Sequence, residues 1–269
     1  MNTDRRRPIG QSRELLHQLR NLGDVRAPTS LLPAVLERVG LGDAYAQIDT
    51  PIGPVFVAYS KLGISTVRRA ASAQEFEQIF RERLDRPVRR TAELPVWLAR
   101  MLKRQLSGKD RSIRRIDLRR LTEFERAVLR KVMEIPRGEV RPYAWVAQEI
   151  GHPRAVRAVG AVLGRNPAPL LIPCHRVVRS DGDIGDYIFG NDAKREVLTA
   201  EGIDVEELEH LAHAGVRYYG SDTTRVYCLP TCRNARRITD RHRVPFRSDT
   251  EAGAAGYRPC RVCRPARAS

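Results

Sequence analysis

Long hydrophobic runs are missing from this chain of 269 residues. Its uninterrupted apolar stretches are far too short to cross a bilayer, which excludes a helical membrane span. A charged-then-apolar leader is missing too, because residues 1–30 are polar and dotted with arginine, so the expected compartment is the cytoplasm. Acidic side chains are scarce, at 32 Asp plus Glu against 48 Lys plus Arg, a formal net charge of +16. Arginine, which outnumbers lysine, suits bidentate phosphate contacts and stacking on bases. Such an excess favours nucleic acid through phosphate neutralisation and counterion release. Charge alone also fits an anionic membrane surface, a ribosomal partner or a GC-rich genome.

Cysteine is sparse and unevenly placed. Of five, Cys174 stands alone and Cys228, Cys232, Cys260 and Cys263 lie near the C-terminus. An odd number without a leader argues against a disulfide framework and suits one metal site plus one reactive or buried thiol. The hydrophobic share of 42% fits a folded chain rather than a disordered one.

Periodicity divides the chain. Helical patterns at Ser12–Leu22 and Ser30–Leu41 form an N-terminal extension over 1–43, to which no role attaches. Period-two alternation then predicts three short strands, Tyr45–Thr50, Pro54–Tyr59 and Gly63–Val67, joined as antiparallel hairpins. Helical spacing follows over Ala73–Leu84 and Leu94–Leu106, completing a compact three-stranded sheet with helices over 44–118. Thr122 is placed to cap a helix running to Met133. Pro142–Ile150 and Arg154–Leu163, around Gly151-His152-Pro153, form a helix-turn-helix pattern, which helix pairs in many enzymes share. A closing helix over Asp192–Glu201 ends at Gly202. Leu208–Gly215 reads as a junction before a module over 214–267 with too few apolar residues for a core, so that it needs a staple.

A cysteine attacks as thiolate and needs a base or positive charge nearby. Cys174 is preceded by Pro173 and followed by His175 and Arg176. Adjacent strand residues face opposite ways, so His175 need not touch the sulfur, and a water can carry the proton between them. A bare Cys-His pair fits a buried structural thiol as well as a nucleophile. The context is more specific: Arg157-Ala158-Val159-Gly160, Asn166-Pro167-Ala168-Pro169 and Ile172-Pro173-Cys174-His175-Arg176-Val177-Val178. This constellation resembles the O6-alkylguanine-DNA alkyltransferases (methylated-DNA–protein-cysteine methyltransferases), over about Ala44 to Asp204.

The resemblance implies an α+β architecture, with a ribonuclease-H-like subdomain over 44–118 and a winged-helix-like alkyltransferase subdomain over 119–206. It makes Cys174 the irreversible alkyl acceptor, His175 the water-mediated base, Glu201 the residue orienting that histidine, and Asn166 the organiser of the cysteine loop. Tyr143 would hydrogen-bond the lesion base and help rotate its phosphate, and Tyr187 would join it at the lesion. Arg157 would fill the gap in the base stack from a helix in the minor groove. An O6-alkyl group inside a duplex is out of reach, so its nucleotide must be extruded. Ile188 departs from the small or Arg residue common in the family, leaving the range of lesion sizes open.

Cys228-x3-Cys232 and Cys260-x2-Cys263 can place four thiolates on one tetrahedral zinc, and generic structural zinc satisfies that spacing. Tyr227-Cys228-Leu229-Pro230-Thr231-Cys232-Arg233 and Gly256-Tyr257-Arg258-Pro259-Cys260-Arg261-Val262-Cys263 resemble the zinc module of Ada-type adaptive-response proteins. By that resemblance Cys228 is both ligand and acceptor of methyl groups from DNA methylphosphotriesters, and Thr224 and Arg258 approach DNA. Leu229 stands where Arg is common and Thr231 where Ser is frequent. The module also follows the alkyltransferase region here, whereas Ada-type chains carry it first. The implied function is single-turnover repair of alkylated duplex DNA by a monomer with one zinc, no organic cofactor and no membrane partner. The competing reading is a methylation-sensing regulator, against which stands the lack of a separate regulator domain.

Overall fold

The computed structural model describes residues 31–39, 42–107 and 115–265; the helical pattern at Ser12–Leu22 lies outside them. Helix α1 (Leu31–Val39) leads into strands β1 (Asp43–Thr50), β2 (Gly53–Ser60) and β3 (Gly63–Arg68). They pair antiparallel as the alternation predicts, with Ala44 opposite Tyr59 and Val57 opposite Val67. The sheet has four strands, not three. After helix α2 (Ala73–Leu84), the short strand β4 (Val88–Arg90) returns parallel to β1, giving the order β3-β2-β1-β4. Three residues rich in arginine carry too little alternation to stand out as a strand.

Local chemistry accounts for the helix starts. The Ser72 hydroxyl accepts from the Glu75 amide at 3.1 Å and opens α2. Helix α3 (Val96–Leu106) follows. Thr122 opens helix α4 (Glu123–Met133) with a reciprocal capping box, its own N–H donating to Glu125 Oε2 at 2.9 Å. Such a cap contributes about 1 kcal/mol. Phe76 of α2 packs against Tyr45 and Phe56 on one face of the sheet, with Phe80 beside it. The other face, through Ala44, Val55 and Val57, joins one continuous core with Val128, Leu129 and Val132 of α4. Gly63 is required where β3 meets the following region. Its φ is +125°, and a Cβ there would lie 2.4 Å from the Arg115 carbonyl oxygen.

The second region is built from strand β5 (Arg141–Pro142), helices α5 (Tyr143–Glu149) and α6 (Val156–Gly164), strand β6 (Val177–Val178) and helix α7 (Asn191–Ala200). β5 and β6 pair in parallel. The segment expected as a junction is instead helix α8 (Val205–His213), capped by Asp204 accepting from the Glu207 amide at 2.9 Å. Its apolar Val205 and Leu208 pack with Val140, Ile184 and Leu198.

The cysteine-bearing module is a four-stranded sheet in the order β10-β8-β7-β9, formed by β7 (Tyr218–Ser221), β8 (Val226–Cys228), β9 (Arg243–Phe246) and β10 (Arg258–Pro259). Helix α9 (Asp249–Ala254) lies between β9 and β10. One side holds Tyr227, Phe246, Ala252 and Tyr257; the other is centred on the four cysteines. Among the described residues, no helix is long and apolar enough to cross a membrane.

Candidate active site and metal centre

Cys174 begins a single 3-10 turn, Cys174–Arg176, immediately before β6. The expected strand geometry is therefore corrected, because Pro173 precedes the turn and residues 174 to 176 fan out around it. Cys174 is buried, 5% exposed. Asn166, wholly buried, organises the loop. Its Nδ2 donates to the Ile172 carbonyl at 2.9 Å and to Cys174 Sγ at 3.0 Å, while its Oδ1 accepts from the Ala168 amide at 3.0 Å. The neighbouring Pro167 carbonyl accepts from the Val67 amide and the Thr66 hydroxyl, both at 2.9 Å, so the N-terminal sheet braces this loop.

His175 Nε2 lies 3.1 Å from Glu201 Oε1. Arg176, which the sequence reading left without a role, grips the same carboxylate with Nε and Nη2, each at 2.7 Å, and donates from Nη1 to the Ile135 carbonyl at 2.6 Å. Burial pushes the Glu201 carboxyl upward, but the hydrogen bonds from His175 and Arg176 outweigh it and hold it at about 2. Burial lowers the His175 imidazole, with Glu201 opposing, and raises the Cys174 thiol, with the Asn166 hydrogen bond opposing. The resting pair is thus neutral thiol and neutral imidazole. His175 Nδ1 is buried and has no hydrogen-bond partner. An orphaned ring nitrogen fits a site for a bridging water.

A cleft of about 570 Å³ opens beside the sulfur, lined by Tyr143, Arg157, Gly160, Tyr187 and Ile188 together with Cys174. Tyr143 starts α5, and Arg157 lies exposed on α6. Burial raises both tyrosines above the ordinary phenol value, keeping them protonated donors at neutral pH. The Tyr187 ring meets His175 edge-on at 6.1 Å, and its buried hydroxyl has no partner. Lys194 of α7 was not singled out from the sequence. Fully buried, its ammonium donates to the carbonyls of Val177 at 2.8 Å, Asp186 at 3.3 Å and Ile184. It therefore ties the Tyr187 loop to the strand after Cys174. A lysine on the inner face of an amphipathic helix was the available signal. The larger cleft of about 720 Å³ at α1 shares none of these residues.

In the module, Cys228, Cys232, Cys260 and Cys263 are buried and their sulfurs lie within 4.8 Å of one another. Tetrahedral zinc with Zn–S of about 2.3 Å sets sulfurs about 3.8 Å apart, so the cluster fits a four-thiolate metal centre. N–H groups point at three of the sulfurs. Leu229 donates to Cys263 and Val262 to Cys260, both at 3.4 Å, and Asn234 to Cys260 at 3.5 Å and, from its backbone, to Cys232. Thr224 and Arg258 are both exposed and lie at one end of the sheet, where the Arg258 amide donates to the Arg225 carbonyl at 2.9 Å.

Residues 123–203 match the family model described as "6-O-methylguanine DNA methyltransferase, DNA binding domain". Residues 210–266 match the "Metal binding domain of Ada". A methylated-DNA–protein-cysteine methyltransferase of Methanosarcina barkeri is 36% identical over 169 residues, which cover 58% of this chain and 96% of that protein. The chain belongs to the methylated-DNA–protein-cysteine methyltransferases. A second such methyltransferase, from Methanosarcina acetivorans, is 32% identical over 59% of this chain and 97% of the relative. The solved O6-methylguanine methyltransferase of Mycobacterium tuberculosis superposes with a TM-score of 0.50 at 30% identity, covering 59% of this chain and 92% of that one. This methyltransferase is of mixed α/β architecture, and its C-terminal Ada metal-binding domain carries the four-cysteine cluster.

Proposed function

We propose that this methyltransferase repairs duplex DNA by moving the methyl group of O6-methylguanine irreversibly onto Cys174, in a reaction that each molecule performs once. The observation that carries the reading is the combination of the Asn166-held sulfur, the His175–Glu201 pair and the orphaned His175 Nδ1 at one cleft. With the guanine extruded into the cleft, the thiol proton passes through a water to His175 Nδ1. The sulfur attacks the methyl carbon, an S–C bond forms and the C–O6 bond breaks. The electron pair leaves with guanine, whose anion takes up a proton while Tyr143 donates a hydrogen bond to the base. Glu201 stabilises the imidazolium that forms. Arg157, exposed at the cleft mouth, fills the vacated place in the stack.

The proposed subdomains are ribonuclease-H-like over 44–118 and winged-helix-like over 119–206, followed by the zinc module over 214–267. Cys228, Cys232, Cys260 and Cys263 hold the zinc, and a bound dication keeps four sulfurs anionic at neutral pH. Cys228 would accept a methyl group from a DNA methylphosphotriester, its S–C bond forming as the methyl C–O bond breaks and the phosphodiester anion leaves. Support comes from the match of residues 210–266 to the metal-binding domain of Ada and from the place of Cys228 in the four-sulfur cluster. Thr224 and Arg258 present the module to phosphate.

Titration with a duplex holding one O6-methylguanine tests the single-turnover reading. Repaired lesions are expected to plateau at one per protein molecule. A steady rate continuing past that ratio contradicts an acceptor that keeps its methyl group.

A further inference from the structure

The first helix of the helix pair stands between the lesion cleft and the metal module, and it is bound on both sides. Toward the cleft it presents Tyr143. Toward the module, Trp145 and Glu149 lie one turn apart on one face, and Arg141 precedes the helix on β5. Trp145 is 3% exposed, and its indole N–H donates to the Cys263 carbonyl at 2.9 Å. Glu149 Oε2 lies 2.6 Å from the Arg264 guanidinium, the residue after that ligand. Arg141 is buried against Glu139 and stacks over Trp145 at 5.6 Å. Glu139 in turn accepts from the Arg233 amide at 3.3 Å, one residue beyond Cys232. The Thr231 hydroxyl accepts from the Val140 amide at 2.9 Å.

These contacts touch the residues flanking two metal ligands and the carbonyl of one of them. Buried polar groups cost stability when their partners are lost, so the module and the helix hold their order together. From β5 the connection continues into β6, the strand that directly follows Cys174-His175-Arg176. A trailing module joined only by a flexible linker would need no buried Trp, Arg and Glu facing it.

We propose that the four-cysteine module is a built-in part of the alkyltransferase site, and that Trp145 and Glu149 are positioning residues through which metal loading sets Tyr143 and the wall of the lesion cleft. The inference rests on reading the cluster as a metal centre and deepens the role given to Cys174. Misplacing a group by about 1 Å can cost about a hundredfold in rate. Metal loss is therefore expected to slow transfer at saturating DNA by about tenfold or more.

The full chain, zinc-loaded and after chelation, is compared by single-turnover transfer and by amide exchange. Chelation is expected to raise exchange across Arg141–Glu149, outside the module, and to shift the Trp145 fluorescence. The sheet of β1 to β3 serves as the internal reference. Trp145→Phe, which keeps a ring but lacks the N–H, is expected to retain zinc, exchange faster over 143–149 and lose saturating transfer rate more than DNA affinity. Unchanged exchange and rate after chelation overturn the proposal. If chelation also opens the reference sheet, zinc-loaded Trp145→Phe decides, and wild-type exchange and rate in that variant overturn it. A zinc-loaded protein that never methylates Cys174 refutes the repair reading instead, while the exchange comparison still decides the coupling.

Discussion

Cys174→Ala is expected to abolish methyl uptake from O6-methylguanine while leaving the fold and DNA binding in place. The substitution removes one buried sulfur, a loss of about 1 kcal/mol in packing. No polar group is orphaned by it, because Asn166 Nδ2 keeps its bond to the Ile172 carbonyl and Asn166 Oδ1 keeps the Ala168 amide. The arginines and tyrosines that line the cleft are untouched. Transfer and binding should therefore separate completely, which labelled-methyl uptake and a mobility-shift titration on the same duplex would show. Substantial transfer from O6-methylguanine by the alanine variant would move the acceptor elsewhere.

Glu201→Gln is expected to cost both stability and rate. Glu201 is the counter-ion of Arg176 and the hydrogen-bond partner of His175, with side-chain exposures of 6% for Glu201, 11% for Arg176 and 1% for His175. Removing the carboxylate of a buried ion pair leaves the Arg176 guanidinium uncompensated and costs about 3 kcal/mol or more. The imidazole also loses the charge that stabilises its protonated form, a loss of about a hundredfold in transfer. The pH dependence has a definite sign. Glu201 is held at about 2, below its ordinary 4.5. The stability it contributes is full above the ordinary value and lost as pH falls toward about 2. Urea melts of the wild type should therefore weaken through that acidic window, by about 3 kcal/mol from this group. The Gln variant, already weakened at neutral pH, should lack that component of the acid loss. Matching acid profiles would show that the carboxylate is not held by its two partners.

Much of this site was legible because its residues sit in contiguous motifs. Pro173-Cys174-His175-Arg176 and the two cysteine pairs carry their chemistry in their spacing, and Asn166 and Tyr143 come with the same resemblance. The α2 helix was readable residue for residue from its apolar spacing. Strand β4 was not, because pairing with β1 rather than its own pattern makes it a strand. Leu208–Gly215 looked like a junction because its apolar face is short, and only the packing partners Val140, Ile184 and Leu198 give that face a place to go. The Glu201 partnership of Arg176 and the role of Lys194 escaped the sequence for a related reason. A charged residue in a sequence reads as solvated until a carboxylate or a ring of carbonyls, distant along the chain, is seen to receive it.

Trp145 illustrates the limit most clearly. An apolar residue in a short helix reads as ordinary core, and only its bond to the Cys263 carbonyl connects it to a metal ligand far along the chain.

The most direct test is peptide mapping of the methyl group. The full chain, incubated with duplex bearing O6-methylguanine and digested, should carry one added methyl on the peptide containing Cys174, with the peptides of Cys228, Cys232, Cys260 and Cys263 unmodified. Repair of the lesion with an unmodified Cys174 peptide would contradict the account at its centre.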